Sequence, residues 1–214
     1  MAAQIKIDTF VTGPLETNTY VIRCGEACAV VDPAMMWGEP LPFDRGTACG
    51  MILLTHGHGD HIAGVEAVKK AFKGARLICP AADAEMLSDA MLNLSQPFGM
   101  TVTAPQADEL IEPGQTVAIG PSQWLVLDTS GHTPGGVSYY CDEAGVVFTG
   151  DSLFAGSIGR TDIPGASTGR LLRNIRESLL SLPDETRVLP GHGPETTIGQ
   201  ERRTNPFILA APRR

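Results

Sequence analysis

The sequence predicts a mixed α/β (α+β) protein of four layers, with two β-sheets at the centre and helices outside them. Three observations lead there. Strand-like segments fall into two groups along the chain, about ten strands in all, and each group is followed by helical patterning. A sheet built from the first group needs cover on both faces. Helices on one side and the second sheet on the other supply that cover.

In chain order, Gln4 to Val11, Asn18 to Cys24 and Cys28 to Val31 are rich in β-branched residues and bounded by Gly, Pro or Asp, so each reads as a strand. Met51 to Thr55 is a compact apolar strand that runs into a histidine-rich turn. After that turn, Ile62, Val65, Val68 and Phe72 recur at helical spacing, which places Asp60 or His61 near a helix start. A second helix is expected over Ala82 to Leu92. Strands return at Gln115 to Ile119, Trp124 to Asp128, Gly136 to Tyr140 and Val146 to Thr149. Thr168 to Leu182 carries Leu171, Leu172, Ile175, Leu179 and Leu182 on one face, with Ser167 as cap and Pro183 as stop, and predicts a long amphipathic helix. A last strand, Arg187 to Leu189, and a short C-terminal helix complete the pattern. With no repeat, low-complexity tract or charged linker, residues 1–214 are expected to form a single domain.

Composition narrows the function. With 43% hydrophobic and 19% charged residues the chain has the make-up of an ordinary soluble globular protein. A net charge of −8 argues against a nucleic-acid partner, which would need a basic footprint. The N-terminus lacks a secretory pattern and no apolar run is long enough to span a bilayer, so a cytoplasmic protein without membrane association is expected. Five cysteines without a C-x-x-C pair read as small buried residues of a reducing compartment. The oligomeric state is not legible.

All five histidines stand where metal ligands would. His56, His58 and His61 share the run Thr55-His56-Gly57-His58-Gly59-Asp60-His61, an H-x-H-x-D-H pattern. His56 and His58 are alternate residues of an extended stretch, so their rings can point to one side. Asp60 and His61 follow where the chain turns into the helix. His132, Asp151 and His192 each follow a strand and sit in a Gly- or Pro-containing turn. Alone, any one of these three would read as a structural residue, but the clustered run makes them candidate ligands as well. Seven donors, five imidazoles and two carboxylates, exceed what one tetrahedral ion takes, whereas two ions sharing a carboxylate use all seven. Nitrogen and oxygen donors without thiolate suit Zn²⁺ first, with Fe²⁺ or Mn²⁺ also compatible.

These residues give the resemblance. Thr55-His-Gly-His-Gly-Asp-His61, Gly131-His-Thr-Pro-Gly135, Thr149-Gly-Asp151 and Pro190-Gly-His-Gly193, in that order, resemble the motifs of the metallo-β-lactamase superfamily over nearly the whole chain. Within it the tail Thr197 to Phe207 and the loop Gly159-Arg-Thr-Asp162 look like the short bacterial glyoxalase II (hydroxyacylglutathione hydrolase) type. The resemblance implies an αββα sandwich with the metals at one edge. It assigns His56, His58 and His132 to a first metal, Asp60, His61 and His192 to a second, and Asp151 to a bridge. Larger glyoxalase II enzymes add a C-terminal helical domain that contacts glutathione, for which this sequence has no room. They also place a basic substrate contact where Arg160 lies, but the aromatic residue that follows it there is replaced by Asp162. The segment Met35 to Phe43 is a candidate apolar wall or plain core packing.

The chemistry expected is hydrolysis of a thioester such as S-lactoylglutathione. Two bridged cations roughly 3.5–4 Å apart lower the pKa of a shared water to about 7, and Asp60 would orient it as well as bind the second ion. Asp60 and Asp151 are thus the catalytic candidates and Arg160 the substrate contact. No spare general acid accompanies the motifs, and a thiolate of parent pKa near 8.5 leaves without one, unlike an amine. The competing reading is a persulfide dioxygenase of the same fold, with His56, His132 and Asp151 around one Fe²⁺. A lactonase is also compatible. A β-lactamase proper fits less well, because Asp151 takes a place those enzymes fill differently. A non-catalytic scaffold would be expected to have lost ligands, and none is missing.

Overall fold

The computed structural model describes residues 4–35 and 49–210. The first sheet is built in chain order from β1 (Ile5–Thr12), β2 (Thr17–Cys24), β3 (Ala27–Val31), β4 (Met51–Leu53), β5 (Arg76–Pro80) and β6 (Glu109–Ile111), and its spatial order is the same. The β1–β2–β3 pairings are antiparallel and the β3–β4–β5–β6 pairings parallel. Then follow β7 (Thr116–Ile119), β8 (Ser122–Asp128), β9 (Val137–Cys141), β10 (Val146–Gly150), the small hairpin β11 (Leu153–Phe154) and β12 (Ser157–Ile158), β13 (Arg187–Pro190) and β14 (Thr196–Thr197). The second sheet has the order β14-β13-β10-β9-β8-β7, with β10 and β13 parallel.

The four layers are visible in how β2 divides its side chains. Tyr20 and Ile22 face the second sheet and pack with Trp124, Tyr139 and Phe148, whereas Val21 faces the opposite way. There it joins Val30, Ile52 and Leu77 under Ile62, Val65 and Val68 of helices α1 (Gly59–Ile62) and α2 (Val65–Ala71). With both faces covered, β2 is buried at every position but Arg23 rather than alternating. On the far side, Val147 and Val188 of the second sheet pack against Leu171 of α3 (Thr168–Asn174), Ile175 and Leu179 of the turn that continues it, and two short C-terminal helices, α4 (Ile198–Thr204) and α5 (Pro206–Ala210). The expected αββα sandwich is thus the observed fold. Among the described residues no helix is long and apolar enough to cross a membrane.

Several elements differ from the sequence expectation. The helix after the histidine run is broken at Gly64, whose N–H donates to the Pro33 carbonyl at 2.7 Å. A Cβ there would collide with the Ala34 carbonyl oxygen, so only glycine allows this approach. The helix expected at Ala82 to Leu92 is instead a 3₁₀ segment, Ala81–Leu87, followed by turns, because the Asp83 carboxylate points inward. The long helix starts at Thr168, with the Ser167 hydroxyl accepting the Arg170 N–H, but turns π-helical at Ile175–Leu179. Strands β5, β6, β11, β12 and β14 are short additions. Residues 36–43, most of the candidate apolar wall, lie outside the described residues.

Candidate metal centre

Every predicted donor emerges just beyond the C-terminal end of a strand. His56, His58, Asp60 and His61 follow β4, His132 follows β8, Asp151 follows β10 and His192 follows β13. Because β10 and β13 are parallel neighbours, Asp151 and His192 come out side by side. Gly191 is the hinge of this contact: its N–H donates to the Gly150 carbonyl at 2.8 Å, and any Cβ would overlap the Asp151 carboxylate and the His61 ring. The edge of β2 clamps the same loop. The Asn18 side-chain amide donates to the Pro190 and Gly193 carbonyls, each at 2.9 Å, and the Tyr20 hydroxyl to Pro190 at 2.6 Å.

The imidazoles are oriented by what their outer nitrogens reach. The Thr55 hydroxyl donates to Asp32 at 2.6 Å, so the proton between Thr55 and His56 Nδ1, 3.0 Å apart, belongs to the ring. His61 Nδ1 donates to Asp32 Oδ2 at 3.0 Å, His132 Nδ1 to the Arg160 carbonyl at 2.8 Å, and His192 Nδ1 to the Leu15 carbonyl at 3.0 Å. Four rings are therefore anchored through Nδ1 and present Nε2 inward, while His58 presents Nδ1, 2.9 Å from His132 Nε2. Such anchoring of the outer nitrogen is what ring ligands of a metal need.

The inward atoms form two groups. The ligand atoms of His56, His58 and His132 lie within 4.8 Å of one another, as do those of Asp60, His61 and His192. Asp151 lies between them, with Oδ1 3.3 Å from His61 Nε2 and Oδ2 3.5 Å from His132 Nε2 and 3.6 Å from His192 Nε2. A third grouping, Asp32 with His56 and His61, is spent, because both Asp32 oxygens already accept hydrogen bonds. Among the described residues, the buried side-chain nitrogen and oxygen atoms without a hydrogen-bond partner are His56 Nε2 and Asp151 Oδ1. Both belong to this cluster. Unpaired buried polar atoms are costly, and cations between these two groups would satisfy both, so the residues present fit divalent metal ions.

Charge differs between the groups. Burial and the neighbouring imidazoles hold His56 well below the usual histidine range, and burial with His132 brings His58 down to about 3. Burial pulls His61 down too, but the carboxylates of Asp60, Asp151 and Asp32 outweigh it and leave His61 well above that range. His192 is also raised, against burial, by Asp60 and Asp151. Burial opposes ionisation of Asp60 and Asp151, yet His61 above all holds both carboxyls below the usual carboxylate range.

Three supporting residues were not singled out in the sequence. Asp32 accepts from Thr55 N–H at 2.8 Å as well as from Thr55 Oγ1 and His61, at a left-handed φ of 47°. Asp83, fully buried, accepts from Gly57 N–H at 3.1 Å, Thr133 Oγ1 at 2.7 Å and Gly135 N–H at 2.6 Å, and so ties the loop of His56 and His58 to the loop of His132. The Thr17 hydroxyl donates to Asp60 Oδ2 at 3.0 Å. A charged residue closing the buried run Ala27–Val31 was an available signal for Asp32. Asp83 offered none. Arg160, the predicted substrate contact, does line the cleft above the cluster, but its guanidinium is bound to Asp162 through Nε at 2.8 Å and Nη2 at 2.9 Å.

An αββα sandwich with paired His/Asp groups at the C-terminal ends of its strands defines a metal-dependent hydrolase scaffold. The chain belongs to the metallo-beta-lactamase superfamily, whose family pattern matches residues 12–192. It is 40% identical over 199 residues to a Bacillus subtilis protein described as the probable metallo-hydrolase YqgX, covering 92% of this chain and 94% of that one. It is 36% identical over 164 residues to the hydroxyacylglutathione hydrolase GloC of Haemophilus influenzae, covering 74% of this chain and 75% of that one. Among solved structures, the BLEG-1 B3 metallo-beta-lactamase superposes with a TM-score of 0.88 at 37% identity, over 95% of this chain and 99% of that one. The protein TTHA1623, determined in a di-iron-bound form, superposes with a TM-score of 0.84 at 37% identity, over 94% and 99%.

Proposed function

We propose that the chain is a thioester hydrolase working with two divalent ions, S-lactoylglutathione being the reference substrate. His56, His58 and His132 would hold the first ion, Asp60, His61 and His192 the second, and Asp151 both. Zn²⁺ is the first choice, and a di-iron relative keeps Fe²⁺ in view. Bound there, the ions supply Lewis acidity and a water of pKa about 7.

The observation that carries the choice of thioester is the poverty of proton donors around the cluster. Among the described residues lining the cleft, the ionisable groups besides the donors themselves reduce to Arg160. The polar neighbours are already engaged. The Asn93 amide donates to the Met86 and Val102 carbonyls at 2.9 Å, and the Ser95 hydroxyl accepts the Val102 N–H at 3.0 Å and donates to the Ala90 carbonyl at 3.5 Å. No side chain stands ready to protonate an amine as it leaves, whereas a thiolate departs unaided. Asp60, held by the Thr17 hydroxyl and kept ionised by His61, would orient the attacking water. Arg160 would have to leave Asp162 before it could meet a substrate carboxylate. The resemblance to GloC supports a thioester, and the resemblance to BLEG-1 makes the β-lactam amide the control.

The persulfide dioxygenase reading uses His56, His132 and Asp151 alone. It leaves the convergence of Asp60, His61 and His192 without a purpose, so the hydrolase is favoured. Protein reconstituted separately with zinc, iron and manganese should release thiol from S-D-lactoylglutathione and leave a chromogenic cephalosporin nearly untouched. Cephalosporin turnover exceeding thioester turnover, or oxygen consumption by the iron form with a persulfide, would overturn the proposal.

A further inference from the structure

The cleft over the donors has a volume of about 340 Å³, near the lower end of small-molecule sites. Beyond the donors its wall is mainly apolar, with Leu15, Leu94, Phe98, Met100 and Ile163 beside the hydrogen-bonded Asn93 and Ser95, and with Arg160 as the remaining charged member among the described residues. Leu15 and Phe98 are 44% and 60% exposed, large apolar side chains left in water at the mouth. Leu94 is held at a left-handed φ of 64°, a conformation that a leucine adopts only under constraint. The constraint comes from its neighbour: the Asn93 side chain is fixed on two carbonyls, and the Asn93 carbonyl accepts the Gly59 N–H at 2.8 Å. Strained backbone therefore sets an apolar side chain beside the histidine loop.

Arg160 does not offset this apolar wall. Both oxygens of Asp162 occupy its guanidinium, so the pair presents no net positive charge. A glutathione thioester has two carboxylates and one ammonium, and beyond the metal donors the described lining of the cleft offers those carboxylates only a guanidinium already paired with Asp162. Resting on the thioester reading above, we infer that this site selects uncharged thioesters with an apolar chain over glutathione conjugates. The apolar wall would take the chain, and Arg160, paired with Asp162, would give the acidic tripeptide little in return for its charges.

Non-hydrolysable thioethers test this apart from catalysis. Calorimetric titration of the metal-loaded protein with S-hexyl-N-acetylcysteamine, S-methyl-N-acetylcysteamine and S-hexylglutathione should show the first binding about tenfold more tightly than either of the others. Phe98→Ala should erode the preference for hexyl over methyl. Asp162→Asn should strengthen S-hexylglutathione about threefold by freeing Arg160, with the neutral thioether unchanged. S-hexylglutathione binding as tightly as the neutral thioether, or no gain with Asp162→Asn, would overturn the inference. Thiol release from the matching thioesters reports separately on the hydrolase reading. Selective thioether binding without thioester cleavage would refute hydrolysis and leave selectivity standing. Cleavage of the glutathione thioester at equal or lower KM would do the reverse.

Discussion

The two halves of the donor cluster are built from unlike materials. His56, His58 and His132 are buried imidazoles without a carboxylate of their own, and His56 and His58 are held neutral by burial and by one another. Asp60, His61 and His192 mix a carboxylate with two imidazoles of raised pKa. His56 and His58 therefore stand in the deprotonated form a cation requires. The second half must give up protons to take one. Their supports differ as well: Asp83 braces the loops of the first half and Thr17 the second, while Asp32 holds His61 directly and His56 only through Thr55.

The sharpest way to break this comparison is to remove one ligand. His58→Ala should lower kcat/KM for a thioester by at least on the order of 10²–10³-fold while circular dichroism stays native, and metal content should fall from two ions to one. Activity retained in a fully metallated variant would contradict the assignment. Removing a brace should cost less and act on one half. Asp32→Asn should weaken the second ion more than the first, and Asp83→Asn the first more than the second, the larger effect in each being about 10–100-fold, as read by competition with a chromogenic chelator. Equal weakening of both ions in both variants would erase the distinction.

Acidification should separate the halves by a smaller step. Because the pKa of His61 and of His192 is raised, each ring is protonated below its shifted pKa, and protons compete with the metal more strongly as pH falls. The second ion should therefore leave first when the holoprotein is desalted at successively lower pH and its metal content measured. Loss of the first ion ahead of the second would contradict this order. Smallest of all, Arg160→Ala should change KM for an uncharged thioester by less than about twofold, since an exposed ion pair contributes little.

The donors were legible because each lies in a Gly- or Pro-containing turn directly after an apolar strand, and the four-layer fold because both strand groups needed cover. What escaped were residues whose role depends on contacts distant in sequence. Asp83 reads as an ordinary residue of an exposed helix, and only the approach of Gly57 and Gly135 from other loops turns it inward and tightens its helix to 3₁₀. Gly64 looks like a tolerated helix glycine until the Pro33–Ala34 segment is laid against it. Arg160 stands where a substrate contact was expected, and its pairing with Asp162, two residues on, changes what it offers.

The most direct measurement is a calorimetric zinc titration of the metal-free protein near neutral pH, repeated in buffers of different ionisation enthalpy. Two binding events are expected, one with little proton release where His56 and His58 lie and one accompanied by proton release at His61 and His192. A single event, or two events with equal proton release, would contradict this.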